Sequence, residues 1–520
     1  MVEQVRSSVN DAASDAQPVE RRVYAVWGVP PETQAYALAK YSRSAQGMLE
    51  SIAELSAQRA AQFLETFYFQ YGHRSIADLA HLAVAFEHVS ILAAIAVVDE
   101  QLWDGQERST RYQSFNRSRY HMPDSLLGGP LEGRYRDECD ALFAEYGELA
   151  RGLTDCLKRV VARPQHLDEG SYSRTLRARA FDVARYLLPL ATRTSVGQIT
   201  SARVIERQIS RLLSDPLPEC QMIGRELRAA CERPAEAPLL RRAGVDEALL
   251  QIGAAPTLVK YTAPSAYLTE TRRVLAAEAA RLLADLPAAP PTPAVELADA
   301  APLEQELAAT LLYRADPGGR SYRQILAAVA ALPAEQLRRL LGAGLAHRGD
   351  HDELLREHQV GYGLVFDLVM DVGAFRDLHR HRRCVQIVRS PEPADGFDDP
   401  EEVFRAGLGD EGAALAREAG LVGRYRAALE RAFAAVAELR AALGVESLYL
   451  LPLAARVRAL FKMDYAQAAY IAELRTGPSG HFSYRRVAWA MHQALAARHP
   501  ILAGPLRVTD PYAVADLLRR

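Results

Sequence analysis

Hydrophobic and polar positions along the chain alternate between short strand-like runs and longer helical ones. Val23-Tyr24-Ala25-Val26-Trp27-Gly28 reads as a strand, and Pro30-Pro31-Glu32 opens a helix with proline in its first turn. Two helical patterns follow, to about Tyr71. Leu82, Val84, Phe86 and His88 then alternate as in a half-buried strand, and Ser90 is placed to cap a helix with Ile91, Ile95, Val98 and Leu102 on one face. Further helices lead to Tyr186-Leu187-Leu188-Pro189-Leu190-Ala191 and a long helical pattern ending near Cys231. Residues 286–294 are proline-rich and read as a semi-rigid linker.

Beyond the linker the same plan restarts. Val295 precedes Pro302 and Glu304 by the intervals that separate Val23 from Pro30 and Glu32. Leu364, Phe366, Leu368 and Met370 alternate like the earlier strand, and a helical segment follows to Arg383. Tyr449-Leu450-Leu451-Pro452-Leu453-Ala454 repeats the earlier hexapeptide letter for letter. The expectation is an α+β protein of two homologous halves, each a small, mainly antiparallel sheet with several long helices. Its expected parts are a disordered tail at 1–22, a first repeat at 23–253, a helix-containing connector at 254–293 and a second repeat at 294–520.

Composition narrows the partners. A chain of 520 residues is too long for one core of ordinary size. A net charge of -3 gives no reason to expect nucleic acid or a membrane surface, and the longest apolar run, Ile91 to Val98, is far too short to span a bilayer. Met1 to Arg22 is polar and lacks the apolar core of a signal peptide. Cys139, Cys156, Cys220, Cys231 and Cys384 form no CxxC pair, so a reducing cytoplasm without a disulfide framework is expected.

Two stretches carry candidate chemistry. In Gln106-Glu107-Arg108-Ser109-Thr110-Arg111-Tyr112, an extended backbone points Glu107, Ser109 and Arg111 the same way, a trio suited to an anionic ligand rich in hydrogen-bonding groups. Alone, such a run also fits a solvated loop. His379-Arg380-His381-Arg382-Arg383 closes a helical pattern, where basic residues complement the helix dipole. Neighbouring arginines repel a metal ion, so an anion or an electron-rich ring is the better guest. Gly342-Ala343-Gly344 lacks the strand–helix context of a dinucleotide fingerprint and reads as a helix end. His73, His351 and His358, the last beside Glu357, read as ordinary loop histidines.

Together the two stretches resemble the flavin-dependent thymidylate synthases, whose pattern is RHRxxSxNExSxRY, preceded by a GH segment and followed by LP and LR segments. The likeness covers most of both halves but is divided between them. The first half has Gly72-His73 and matches ExSxRY with Glu107, Ser109, Arg111 and Tyr112. At the RHR positions it has Asp99, Glu100 and Gln101, with Asp104 and Gln106 at the Ser and Asn positions. The second half matches RHR with Arg380, His381 and Arg382, then continues Cys384-Val385-Gln386-Ile387 without the rest. Arg185 matches a nucleotide-contacting arginine where the second half has Leu448. Arg203 matches the arginine of the NAR segment, with Ser201 at its asparagine. Arg475 matches the LR arginine where the first half has Leu212.

The resemblance implies one composite site. Glu107, Ser109, Arg111 and Arg185 would face the substrate from one half. Arg380, His381, Arg382 and Arg475 would come from the other, with His73 and Arg203 on the FAD side and Arg475 and Ser109 nearest the chemistry. The implied reaction is reductive methylation of dUMP with methylenetetrahydrofolate and NADPH, in a homodimer that imitates a homotetramer. A flavin enzyme for another pyrimidine nucleotide and an inactive FAD- or nucleotide-binding regulator are the alternatives. A composite site requires Glu107 to Tyr112 to be buried against Arg380 to Arg382 or Arg475.

Overall fold

The computed structural model describes residues 26, 28–40, 51–52, 74–115, 120–233, 241–244, 253–290, 294–349, 352–513 and 517–518. The tail at 1–22, most of the first strand and most of the helical patterns before Tyr71 lie outside the described residues, as do His73 and His351. The expected first helix is present as α1 (Pro31–Lys40).

The first half then runs β1 (His81–Ser90), α2 (Ile91–Val97), β2 (Asp104–Glu107), α3 (Glu132–Val160), α4 (Glu169–Ala184), β3 (Arg193–Ser201), α5 (Ala202–Leu213) and α6 (Pro218–Glu232). Its strands form an antiparallel sheet in the order β1-β3-β2. β1 alternates as expected until His88, which adopts φ 60° and breaks the register between Glu87 and Val89. This bulge carries Val89 and Ser90 inward, so His88 lies outside the alternation. Ser90 caps α2 through Ala93 N, but the helix stops at Val97, and Leu102 is 68% exposed. The long pattern before Cys231 divides into β3, α5 and α6: Thr194, Val196 and Gln198 alternate at a strand's period before Ser201 caps the next helix.

The linking segment carries α7 (Ala266–Leu282). The second half follows with β4 (Ala294–Leu297), α8 (Leu303–Ala315), α9 (Tyr322–Ala330), α10 (Ala334–Ala343), β5 (Leu364–Asp371), α11 (Val372–Leu378) and β6 (Val385–Val388). It closes with α12 (Pro400–Glu418), α13 (Leu421–Leu443), β7 (Arg456–Met463), α14 (Tyr465–Thr476), α15 (Phe482–Arg498) and α16 (Pro500–Ala503). Its sheet, β4-β5-β7-β6, contains the first sheet's order as β5-β7-β6, so β1, β2 and β3 answer to β5, β6 and β7. Gly344 caps α10, as a helix end requires. α11 ends at Leu378, five residues before the expected end at Arg383, with His379 as its cap.

The two sheets differ in what covers them. β5 is buried along its whole length because Phe366, Leu368 and Met370 face the core shared by both halves, while Val365 faces a second core built by α7 to α10. β1 has an exposed face instead. Polar groups on the covered face are paired: Lys462 Nζ donates to Glu306 (2.8 Å) and Thr310 (2.7 Å), and Arg458 and the Tyr313 hydroxyl both donate to Asp367.

The repeated hexapeptide is the joint between the halves. Leu190 N donates to Leu451 O and Leu453 N to Leu188 O; Ala191 N donates to Tyr449 O and Ala454 N to Tyr186 O, at 2.8–3.2 Å. The two copies thus run antiparallel about a bridge between Pro189 and Pro452, and every bond has its exchanged twin. Around this joint α3 and α4 pack with α12 and α13 into a four-helix bundle. Gly407 lets α12 approach α4: a Cβ there would lie 2.3 Å from Val183 Cγ2. Gly423, on the exposed side of α13, has nothing within 4 Å. Gly407→Ala is therefore expected to destabilise the protein by about 1–3 kcal/mol, and Gly423→Ala to stabilise it by roughly 0.5–1 kcal/mol. Urea melts of both variants check the bundle; equal effects would show that the helices are not packed this closely.

Candidate active site

The duplicated register assigns each site residue an equivalent. Ser90 and Asp371 cap α2 and α11, and β2 and β6 start at Asp104 and Val385, which sets Asp99, Glu100 and Gln101 opposite Arg380, His381 and Arg382. It also sets Ser109 opposite Ser390. The second half therefore retains the serine of the motif, and the expectation that it loses everything after RHR needs correcting. Likewise β3 and β7 set Leu212 opposite Arg475, and the hexapeptides set Arg185 opposite Leu448.

The segment after β2 lies against α11 and α15 of the second half. Glu107 pairs with Arg376, and Asp104 with Arg382, whose guanidinium also covers the Trp103 ring. Arg111 is buried; its Nε donates to Asp182 at 2.9 Å and its Nη2 reaches Ser479 O at 3.4 Å. Burial works against its charge, but Asp182 more than compensates and holds it protonated. Ser109 Oγ accepts from Arg111 N at 3.2 Å, which makes it the pivot of the turn that aims Arg111.

Arg185 stands at the centre. It is 3% exposed, and Nη1 donates to Thr110 Oγ1 at 3.3 Å. Nε and Nη2 are buried without a hydrogen-bond partner, the nearest carboxylate being Asp377 of α11 at 3.6 Å. A buried guanidinium with two unsatisfied N–H groups is a strong anion receptor, because the desolvation cost is already borne by the fold.

The second half supplies a paired acceptor and donor beside it. Arg475 Nε donates to His381 Nε2 at 2.7 Å, and His381 Nδ1 meets the Gln467 amide at 3.2 Å. Burial first, and the Arg475 charge second, lower the His381 pKa to about 3, so its imidazole is neutral at pH 7. The Arg475 guanidinium lies over the Tyr484 ring. Arg380 is exposed and makes no side-chain hydrogen bond or ion pair with the described residues, leaving its full charge available to a ligand.

Supporting groups were not evident from motif spacing. Asp182, Asp377, Asp371 and His481 build the wall of the site. His481 caps α15 and meets Asp182 O at 2.9 Å. Asp371 caps α11 and accepts from the Ser483 hydroxyl; burial and neighbouring Asp398 raise its pKa to about 6. Asp182 lies three positions before Arg185 and Asp377 three before Arg380, so helical spacing was the available signal. Arg203 departs from the expected group. It pairs with Asp78 at 2.9 Å, approaches Glu353 at 3.7 Å, and lines a different cavity. Its place at the start of α5 fixes this, since the corresponding helix of the second half is the one that carries Arg475. His73 lies outside the described residues.

The donor set fits an anionic, planar cofactor such as FAD beside a second phosphate: exposed Arg380 suits the cofactor's phosphates, neutral His381 with Arg475 and Tyr484 offers hydrogen bonds and a ring face, and Arg185 is left for the other phosphate.

The family described as Thymidylate synthase complementing protein matches residues 26–235 and 357–501. UPF0159 proteins of Chlamydia muridarum and Chlamydia pneumoniae are each 25% identical over 96% of this chain and 93% of theirs. One from Thermoplasma acidophilum is 26% identical over 91% of this chain and 94% of its own. Two structures of flavin-dependent thymidylate synthase ThyX from Helicobacter pylori with FAD and dUMP align at 14% and 15% identity, over 42% of this chain and 96% of theirs, with a TM-score of 0.23.

His381 gives a test by pH. Its folded pKa, about 3, lies below the unfolded value near 6.5, so the unfolded chain binds the extra proton between those values and this residue's contribution to stability is lost as pH falls through 6.5. His381→Gln should flatten the fall in stability between pH 6.5 and 4, by on the order of 1 kcal/mol per pH unit. Denaturation at several pH values would show it; an unchanged slope would mean that the imidazole is not held neutral.

Proposed function

The chain belongs to the Thymidylate synthase complementing protein family, the flavin-dependent thymidylate synthases, as a tandem-duplicated, partly degenerate member, and on that footing we propose that it catalyses the reductive methylation of dUMP to dTMP. The observation that carries the proposal is the buried Arg185, whose Nε and Nη2 lack a hydrogen-bond partner and have Asp377 of the other half at 3.6 Å.

In this reading Arg185 receives the substrate phosphate, with Thr110 fixing its guanidinium and Asp182 fixing Arg111 beside it. Arg475, oriented by neutral His381, donates to the pyrimidine carbonyl system and stabilises negative charge that develops there. Arg380 and Arg382 hold the anionic cofactor, and Ser109 positions Arg111. The methylene carbon of methylenetetrahydrofolate becomes bonded to C5 of the pyrimidine as its two bonds to the folate nitrogens break; the C5 proton and one from solvent go to those nitrogens, tetrahydrofolate leaves, and a hydride completes the methyl group. Bound FAD would supply that hydride, having received it from NADPH. The protein's own contribution is orientation and electrostatics.

A binding protein without turnover is the second reading. It is favoured by Asp104 and Glu107, which already neutralise Arg382 and Arg376. The two readings separate in one experiment. As an enzyme, purified protein carries FAD, oxidises NADPH faster when dUMP is added with methylenetetrahydrofolate, and yields dTMP. Arg185→Ala should reduce the dUMP-dependent rate at least ~100-fold while the flavin remains bound. Flavin binding without dTMP would favour the second reading, and protein with no affinity for flavin would refute both.

A further inference from the structure

The position equivalent to the candidate active site, on the other side of the joint, is a cavity of about 1060 Å³. Its walls include Asp99, Glu100 and Gln101, the equivalents of Arg380, His381 and Arg382, and Val388, Ser390 and Leu448, the equivalents of Glu107, Ser109 and Arg185. The acidic replacements are not solvated. Glu100 is 6% exposed and accepts from Arg207 (2.7 Å) and Arg211 (2.9 Å); Asp99 pairs with Arg356, and Gln101 meets Gln359 at 3.2 Å. These pairs brace the wall, and Glu206, Asp215, Asp352, Glu353 and Glu357 line the same cavity.

Three guanidinium groups, Arg272, Arg314 and Arg211, act on one another here, with Asp215 and Glu357 near them. Arg272 projects from α7, an element outside the duplicated plan, and has no hydrogen bond or ion pair among the described residues. Arg211 Nη2 is buried and unpartnered. Arg314 has only a 3.4 Å contact to Glu357. Burial, and then the neighbouring Arg314 charge, lower the Arg272 pKa to about 10, so these cations repel in a partly dehydrated space. The lining also includes half-buried Leu92, Ile95 and Val388, which offer an apolar surface. The cavity therefore combines a phosphate clamp with a dry wall.

We propose that this cavity is a second ligand site, which takes an organic phosphate with an aromatic ring, the phosphate held by Arg272, Arg314 and Arg211 and the ring against Leu92, Ile95 and Val388. It is independent of turnover at the candidate active site.

The test uses the full chain with AMP and GMP as probes, followed by calorimetry and thermal melting. At least one probe should bind the wild type and raise its melting temperature. Arg272→Gln should melt at the same or a higher temperature without ligand, because it removes a partly dehydrated cation that neighbouring arginines repel, and should bind that probe at least tenfold more weakly. Arg185→Gln should leave that binding unchanged. If no probe binds, or if Arg272→Gln binds as the wild type does, or if Arg185→Gln rather than Arg272→Gln abolishes binding, the proposal is wrong.

Discussion

The antiparallel pairing of the two hexapeptides about Pro189 and Pro452 is the constraint on which the rest depends. Proline cannot donate to a ladder, so the exchange is carried by its neighbours, Leu188 and Leu190 with Leu451 and Leu453, and by Tyr186 and Ala191 with Tyr449 and Ala454. Because both copies have the same sequence, each bond satisfied on one side is satisfied on the other, and the pairing imposes a pseudo-two-fold relation on everything attached. Each hexapeptide leads directly into the central strand of its sheet, β3 or β7, and each follows a helix of the bundle. Moving the joint would misplace both sheets at once.

A pseudo-two-fold axis makes two equivalent sites from one set of parts, and the two have then diverged. Their supporting chemistry shows how. In the first half the cap is a serine, Ser90, and its buried partner is Glu219, whose other oxygen-bound donor is the Tyr449 hydroxyl. In the second half the cap is Asp371 and its partner is the Ser483 hydroxyl. The hydroxyl and the carboxylate have exchanged places, while the bond between cap and helix persists. The ligand-facing positions have not been preserved this way: Arg185 faces Leu448, and Arg380 to Arg382 face Asp99 to Gln101. α11 serves both sides, with Arg376 and Asp377 toward the candidate active site and Phe375 and His379 toward the cavity.

Much of this was legible in the sequence, and for physical reasons. The duplication announced itself because the hexapeptide must pair with its own copy, and the α+β class followed from periodicity. The segment from Glu107 to Arg111 does meet the second half, but through Arg376 and Ser479, and the motif arginine that pairs nearby, Arg382, does so with Asp104. What was not legible depended on three-dimensional neighbours. The end of α2 at Val97 is set by a turn, not by the apolar positions that continue past it. β3 was hidden because six of its nine positions are polar, and Arg203 carries a motif identity yet belongs to the opposite cavity. Arg272 had no signal, since nothing local marks an unpaired guanidinium.

The central claim is that one of the two equivalent sites kept the flavin chemistry and the other did not. Titrating FAD into purified protein, followed by its absorbance, tests this most directly. The account predicts one flavin per chain, with binding lost on joint replacement of Arg380 and Arg382 by alanine and unaffected by Asp99→Ala. Two flavins per chain, or one that persists without both arginines, would contradict it.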